Sequence, residues 1–365
     1  MRDGWKRTWW VGVAVLLLIS GWTQGAWACR LLEPHADRVD TLWIHLDGFC
    51  FSADQREWAV TGADVLEALK AGKNLDLQGA LVVDDVMLDQ LPLRSVEDLP
   101  HLPRSIQGRL SQKGLKQVRV IPGAITIRDS QFEKVLATNL VDDVLVILGA
   151  VTISGTTFLQ SVDFSKVMFV EPVVFSNVEV GYEGFFIGAD FAQAVDFSHT
   201  VFGTHSRFHK AVFRAPVTFA EVQFKGVAEF LEVEFHQGAN FSHTHFLSGT
   251  GFSGSVFDGP ADFSGVKTAQ EIYFRFSEFR DGVSFRQGHF PSVVDFSNSR
   301  FLGEHDFSGA EFSVSPDFTD SNISIDVPIS RRRLNQQQWL LFGGLVILVG
   351  LYLWISKRRT TGDSA

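Results

Sequence analysis

Phenylalanine recurs along this chain with a period of eleven positions. Two interleaved series, offset by five, mark 30 positions between residues 158 and 318, and only Val180 and Thr268 interrupt them. An α-helix repeats every 3.6 residues and a strand every two, so neither explains a spacing that alternates between five and six. The pattern therefore predicts a small structural unit repeated many times.

Each unit combines one ring with one small or branched residue two positions earlier, and a polar residue lies between them. In an extended segment the outer two side chains point to one side and the middle one to the other. Such units bury a core only by stacking, which predicts a solenoid. The first series forms the predicted inward ladder: Phe164, Phe175, Phe186, Phe197, Phe208, Phe219, Phe230, Phe241, Phe252, Phe263, Phe274, Phe285, Phe296, Phe307 and Phe318.

The segment Ala261-Asp262-Phe263-Ser264-Gly265 matches A-[DN]-[LF]-S-x, the consensus of pentapeptide-repeat proteins. The chain resembles the Phe-centred variant of that family over residues 150–323. The resemblance implies an all-β fold, a right-handed quadrilateral β-helix with four faces per coil. Because every second unit here has one extra residue, a four-sided coil would close with a period of about 22. Two opposite corners would then be one residue longer. A two-sided solenoid with a period of eleven is the geometric alternative.

The rhythm weakens towards the N-terminus. Ile125, Leu136 and Ile147 continue the step of eleven with aliphatic side chains, and the phrase that begins at Gly79 recurs at Gly123, which is two predicted coils later. We therefore predict degenerate coils over residues 75–149, with an inserted loop.

The inserted loop is expected at 99–114, where prolines interrupt the pattern. The segment 29–74 is expected to cap the solenoid with a helix near 61–72. Thr61 is a suitable N-cap residue, and Gly72 is a suitable stop. This helix would cover the open N-terminal end, which would otherwise be an aggregation-prone edge.

The N-terminus predicts export. Residues 1–28 read as a signal peptide, with a cationic start, an apolar core and the cleavage site Ala26-Trp27-Ala28. An uncleaved anchor and lipidation at Cys29 are alternatives. In an oxidising compartment Cys29 and Cys50 could form a disulfide, and two unpaired thiols are the other interpretation.

The C-terminus predicts a membrane anchor. Residues 339–356 contain no charge and are long enough to span a bilayer with their flanks. They follow a linker at 324–338 and precede a cytoplasmic tail at 357–365. The expected protein crosses the membrane once, and its repeat domain lies on the periplasmic or extracellular side.

Charge and motif content exclude several functions. The chain has a net charge of −10, and residues 151–323 hold 10 Lys and Arg against 21 Asp and Glu. An acidic surface disfavours binding to nucleic acid, which needs a cationic face. No nucleotide-binding, hydrolase or metalloprotease motif is present. We therefore expect no catalytic residues, no cofactor and no metal site, although His243 and His245 form a possible metal-binding pair.

These features predict a non-catalytic scaffold or protein-interaction module of the cell envelope. Its expected partners are the membrane, through the C-terminal helix, and another envelope protein. The irregular units suggest a partner patch at Tyr182, Phe185, Tyr273 and Phe276. One alternative is an enzyme or binding protein for an envelope polymer such as a glycan. The family resemblance suggests another, an acidic DNA mimic that inhibits a topoisomerase.

Overall fold

A computed structural model describes residues 29–33, 39–47, 55–100 and 102–325. The chain divides into two compact units, Met1–Val327 and Pro328–Ala365, and the second unit lies outside the described residues. The predicted signal peptide, Cys50 and the predicted membrane span at 339–356 also lie outside them. Among the described residues, no helix combines the length and apolar character needed to cross a membrane.

The repeat region is a four-sided β-solenoid with 22-residue coils. One coil passes through the strands Val151–Ser154, Thr157–Phe158, Val162–Asp163 and Val167–Phe169. The next strand, Val173–Ser176, pairs in parallel with the first, so that each residue meets its equivalent one full coil later. A two-sided solenoid would have paired each residue with the one eleven positions later, and that alternative is therefore wrong.

Faces 1 and 2 are named in the order in which the chain visits them. Within the described residues, face 1 comprises Arg30–Leu31, which is antiparallel to its neighbour, and the strands Thr41–Asp47, Asn74–Gln78, Ile125–Arg128, Val151–Ser154, Val173–Ser176, Val195–Asp196, Val217–Thr218, Ala239–Asn240, Ala261–Asp262, Val283–Ser284 and His305–Asp306. Face 2 comprises Leu81–Val82, Gln131–Phe132, Thr157–Phe158, Glu179–Val180, Val201–Phe202, Gln223–Phe224, His245–Phe246, Lys267–Thr268, His289–Phe290 and Glu311–Phe312.

Faces 3 and 4 complete each coil. Within the described residues, face 3 comprises Val86–Met87, Leu136–Ala137, Val162–Asp163, Glu183–Phe185, His205–Arg207, Val227–Glu229, Thr250–Gly251, Ile272–Tyr273 and Val294–Asp295. Face 4 comprises Leu93–Ser95, which is antiparallel to its neighbour, and the strands Gln117–Ile121, Leu145–Ile147, Val167–Phe169, Asp190–Phe191, Val212–Phe213, Glu234–Phe235, Val256–Phe257, Glu278–Phe279 and Arg300–Phe301.

The core is a set of stacked phenylalanine columns. Phe241 lies between Phe219 and Phe263 at ring-centre distances of 4.7 and 4.9 Å, nearly parallel to both. Its ring is perpendicular to that of Phe230 at 5.4 Å. Both arrangements are favourable for aromatic pairs. The ladder residues are buried from Phe164 to Phe296, and those of the last coil are half-buried.

Tight corners follow faces 1 and 3, and each requires a left-handed backbone. At the corner after face 1, His199 has φ 57° and Thr200 N donates to Phe197 O, as in a turn that needs positive φ at its third residue. The polar residue before the ring completes the turn, because Asp196 Oδ1 accepts a hydrogen bond from Ser198 N at 2.8 Å. The recurring Asp-x-Ser motif is thus a corner-forming element.

The expected step of eleven is wrong before residue 138. Leu136 pairs with Val162 at an offset of 26, whereas Leu145 pairs with Val167 at an offset of 22. The corner between those two strands is therefore four residues longer than in later coils. As a result, Ile125 and Leu136 fall on the small-residue positions and not in the phenylalanine columns.

The coil before that one is longer still. Leu81 pairs with Gln131, and Ala80 meets Ser130 at the same offset of 50, so the predicted equivalence of Gly79 and Gly123 is also wrong. The additional residues form the outer strand Leu93–Ser95, the 3₁₀ turns Leu88–Gln90 and Val96–Asp98, and the helix α2, Arg104–Gln112. Helix α2 packs on the outer side of face 4, where its Ile106 and Leu110 form a second small core with Val118 and Val146.

The helix α1, Gly62–Lys70, covers the first coil. Its N-terminus has a capping box, in which Thr61 and Asp64 exchange side-chain and backbone hydrogen bonds. Its apolar side buries Val65, Leu66 and Leu69 in the main core. The chain reaches α1 through the 3₁₀ turn Arg56–Trp58.

Candidate interaction surfaces

The predicted partner residues lie along one side of the solenoid. Phe185 and Tyr273 both face outward on face 3 and belong to one column, in which the paired residues are Phe185, Arg207, Glu229, Gly251 and Tyr273. Adjacent parallel strands are about 4.8 Å apart, so four coils separate these two rings by roughly 19 Å. The structure therefore distributes the predicted residues over two separate places on face 3.

The first place is an aromatic patch of Tyr273, Arg275 and Phe276. The Arg275 guanidinium lies 4.7 Å from the centre of the Tyr273 ring, a cation–π contact. Arg275 also pairs with Asp295, the next residue in the column. Burial opposes ionisation of Asp295, but hydrogen bonds from Ser297 and Arg275 outweigh it and hold its pKa below the ordinary range. Arg275 and Tyr273 are thus held in place beside Phe276.

Phe276 is an unusual residue type for the left-handed corner that it occupies. Its side chain is 66% exposed, and its backbone is left-handed, with φ 57°. A bulky residue in that region is uncommon and strained. At the same corner, other coils have glycine, asparagine or aspartate, which tolerate this conformation, or a solvated lysine or glutamate. These residues are Lys166, Gly188, Lys210, Glu232, Gly254, Asn298 and Asp320. The Phe276 backbone is therefore strained, and the ring gains little burial in return.

The second place surrounds Glu229 and includes the other predicted residues. The Arg207 guanidinium lies 5.5 Å from the centre of the half-buried Phe185 ring, and Tyr182 is exposed at the corner before it. Arg207 Nε donates to Glu229 Oε2 at 2.9 Å. This side of face 3 is therefore an ordered polar surface with aromatic groups at one end.

The Glu229 cluster brings together four titratable groups. His205 Nε2 lies 2.9 Å and His209 Nε2 3.3 Å from Glu229 Oε2, beside Arg207. Burial opposes ionisation of Glu229, but the hydrogen bonds from His205 and Arg207 outweigh it and lower its pKa. The cluster is thus centred on one carboxylate, which forms an ion pair with Arg207 and a hydrogen bond with His205.

A shallow groove of about 590 Å³ runs along the start of face 1. Its floor is a column of residues, one per coil, that lie immediately before the face-1 strands. The carbonyl of each floor residue accepts a backbone hydrogen bond from the previous coil. Two residues further along each coil, one outward side chain forms the wall. The floor residues in the groove are Pro172, Ala194, Pro216, Gly238 and Pro260, and the wall residues are Val174, Asp196, Thr218, Asn240 and Asp262.

His243, His245 and His289 lie on the outer side of the solenoid. His245 and His289 are separated by Lys267 in one column. Burial, Lys267 and His243 all lower the pKa of His245. Asp295 and Asp317, which are 22 positions apart, are neighbours in register. Among the described residues, no group of three His, Cys, Asp or Glu side chains is arranged to hold a metal ion.

Cys29 is disulfide-bonded. Its predicted partner, Cys50, lies outside the described residues, and their pairing stays a prediction.

Comparison with known proteins identifies part of the solenoid. Residues 219–267 match the family model described as Pentapeptide repeats (9 copies). No curated protein and no solved structure matches the chain. The pentapeptide-repeat match covers two consecutive coils in the middle of the rod. It includes Glu229 and two of the five groove-wall residues, Asn240 and Asp262, and it ends before Phe276.

Sequence reasoning missed the groove because it followed the rings and their immediate neighbours. Prolines at positions 172, 216 and 260 recur every second coil, and each lies three positions before a ladder phenylalanine. Writing the sequence with one coil per row would have shown the column. The buried Asp190, which pairs with Arg214 and Arg109, had no comparable signal, since Arg109 belongs to the inserted helix α2.

Proposed function

We propose that this chain is a non-catalytic scaffold that binds another protein through the outer surface of its solenoid. The single observation that carries the proposal is Phe276, an exposed ring held in a strained left-handed conformation beside the ordered Tyr273 and Arg275. Exposed aromatic and arginine side chains are enriched at the centres of protein interfaces. A solenoid contributes a rigid, extended surface to such binding.

In this proposal the scaffold belongs to the cell envelope. The uncharged segment 339–356 anchors it in the membrane, and the apolar N-terminus directs the repeat domain across it. A reporter fused at residue 200 tests this arrangement. Activity on the exported side is the expected result. A cytoplasmic signal would contradict the localisation and would favour the topoisomerase-inhibitor hypothesis.

Site-specific crosslinking in intact membranes tests the binding surface. A photoreactive residue replaces Phe276 in one variant and Glu232 in the other. Glu232 occupies the same left-handed corner two coils earlier, outside the aromatic patch. We expect a discrete crosslinked protein adduct from position 276 and none from position 232.

The Phe276→Asn variant provides a second test of the same surface, by co-purification of the partner. Asn298 occupies the same corner in the next coil, so asparagine suits this backbone. The variant should keep its circular dichroism spectrum and reduce co-purification of the crosslinked protein. If neither position yields an adduct, or if F276N retains its full yield of partner, the aromatic patch is not the binding surface.

A further inference from the structure

We propose that the face-1 groove binds a basic, proline-rich peptide segment in the polyproline II conformation. This site lies on a different face from the aromatic patch. It would therefore give the solenoid a second, independent binding activity.

The groove floor alternates between proline rings and small residues. From residue 150 to residue 282, every second coil places a proline in this column and every other coil places alanine or glycine, in the order Ala150, Pro172, Ala194, Pro216, Gly238, Pro260 and Gly282. Prolines therefore form ridges, and the small residues between them form notches. At Gly238, the nearest atoms to an added Cβ would be those of Pro260, at 3.8 and 3.9 Å, so the notch has room for a ligand group.

The period of the ridges matches the period of one type of peptide. Two coils of a parallel sheet span about 9.4–9.8 Å. A polyproline II helix has three residues per turn and a rise of about 3.1 Å, which gives about 9.3 Å per turn. A peptide lying along the solenoid axis would thus place every third residue in a notch. An extended strand repeats its side-chain direction after about 6.6–6.8 Å and would lose register with the notches.

The chemistry of the groove also fits this ligand. The prolines and the small residues between them provide an apolar floor, and proline rings of a ligand would pack against it. A polyproline II backbone has no internal hydrogen bonds, so its carbonyls need external donors. Asn240 Oδ1 accepts a hydrogen bond from Ser242 N, which fixes the side chain and leaves the amide nitrogen to serve as such a donor.

The charges on the wall select a basic ligand. Asp196 and Asp262 each use Oδ1 to accept a hydrogen bond from their own turn, and the second oxygen is left for a ligand. Neither carboxylate forms an ion pair with another described residue. They lie three coils apart, roughly 14 Å, which corresponds to about four or five residues of polyproline II. Lysine or arginine at that separation would pair with both.

A glycan is the less suitable occupant. Sugar hydroxyls need many polar partners, whereas the floor of this groove is proline, alanine and glycine. Two carboxylates add little to the binding of a neutral sugar. The groove also contains no aromatic side chain, although aromatic platforms occur on face 3.

Isothermal titration calorimetry on the full-length protein in mild detergent tests the proposal. The probe is a synthetic oligoproline of about eight residues, with two lysines about five residues apart, which spans the groove of roughly 19 Å. A glycine-serine peptide with the same lysine spacing and a neutral oligosaccharide are the comparison ligands. We expect the oligoproline to bind and the other two to bind at least about tenfold more weakly.

Two sets of variants locate the binding. Ala194→Pro and Gly238→Pro fill the notches with a residue that the same column already accepts at positions 172, 216 and 260. They should keep the fold and weaken oligoproline binding about tenfold. Asp196→Asn and Asp262→Asn retain the acceptor for the turn, as Asn240 shows, and should each weaken binding about two- to fivefold and reduce its dependence on salt.

The Phe276→Asn variant separates the two binding surfaces. It should bind the oligoproline as tightly as the unmodified protein does. No oligoproline binding, a preference for the oligosaccharide, or binding that the notch-filling variants leave unchanged would each overturn the groove proposal. None of these results would bear on the aromatic patch.

Discussion

Arg214 donates two hydrogen bonds of 2.7 Å to the carboxylate of Asp190, whose side chain is completely buried. Arg109 of helix α2 approaches the same carboxylate to 3.3 Å. The pair therefore connects the outer side of face 4 with the inserted helix. It is the most deeply buried charge contact among the described residues of the solenoid.

Replacement of Arg214 by alanine should destabilise the protein by about 3 kcal/mol. Removing one partner of a buried ion pair leaves an uncompensated charge, and Arg109 alone compensates only part of it. Urea unfolding followed by circular dichroism measures the effect. Arg300→Ala, an exposed arginine on the same face, should change stability by less than about 0.5 kcal/mol. Adding Asp190→Asn to R214A should restore part of the loss, and no restoration would contradict the buried-charge explanation.

A cavity in the phenylalanine column should be costly. Phe241 is fully buried between two stacked rings, so Phe241→Ala should lower stability by about 3–5 kcal/mol. Each coil contacts mainly its neighbours, and the unfolding curve is expected to broaden or divide at this coil. Phe276→Ala removes an equal number of atoms from an exposed site. If both variants lower the free energy of unfolding equally, the stacked rings are not the main source of the stability of the solenoid.

Thr268 interrupts the ring column of face 2 at a cost in stability. It is only 6% exposed, and its hydroxyl finds no hydrogen-bond partner among the described residues. Thr268→Val keeps the shape and removes the unsatisfied group, so it should stabilise the protein by about 1 kcal/mol. Thr250→Val is the matched control, because the Thr250 hydroxyl donates to Ala228 O at 3.1 Å, and this change should be destabilising. Equal effects from both substitutions would refute the explanation.

Acid should weaken the Glu229 cluster. The pKa of Glu229 is lowered in the folded protein, so its ionised form contributes stability above the unfolded-state pKa. That contribution is lost as the pH falls below about 4 and through the lowered folded value. Glu229→Gln should therefore reduce the acid sensitivity of the urea midpoint. Glu232→Gln, on an exposed side chain paired only at 3.5 Å with Lys210, should leave it unchanged.

The spacing predicted a stacked repeat, because each ring position recurs many times and the two exceptions do not hide the period. The resemblance to pentapeptide-repeat proteins implied that four sides make one coil of about 22 residues. The observed coil of 22 residues, which places Asp295 beside Asp317, agrees with that period. Upstream of residue 138 the same reasoning failed. Four additional residues at one corner and the inserted helix α2 shift the register. The core residues of these coils are aliphatic, and no repeated phenylalanine marks in the sequence where the shift occurs.

The candidate sites were less accessible to sequence reasoning. The irregular units pointed to Tyr273 and Phe276, but the left-handed backbone of Phe276 follows from the corner geometry and not from the residue itself. The second place, around Glu229, depends on contacts between residues 22 or 24 positions apart, such as Arg207 and His205 with Glu229. Such contacts can be derived only after the coil length is known.

From residue 138 onwards the register is constant at 22 residues, so any of these coils can be removed at equivalent points and its neighbours rejoined. The alternation of Pro172, Ala194 and Pro216 has twice the period of one coil. Excision of a single coil would therefore place two prolines, or two small residues, in adjacent positions and reverse the phase of everything beyond the junction. Lengthening or shortening by an even number of coils preserves the phase. The structural repeat of the solenoid is thus one coil, whereas the repeat of its surface pattern is two coils. Only a change by two coils, or a multiple of two, leaves that pattern intact.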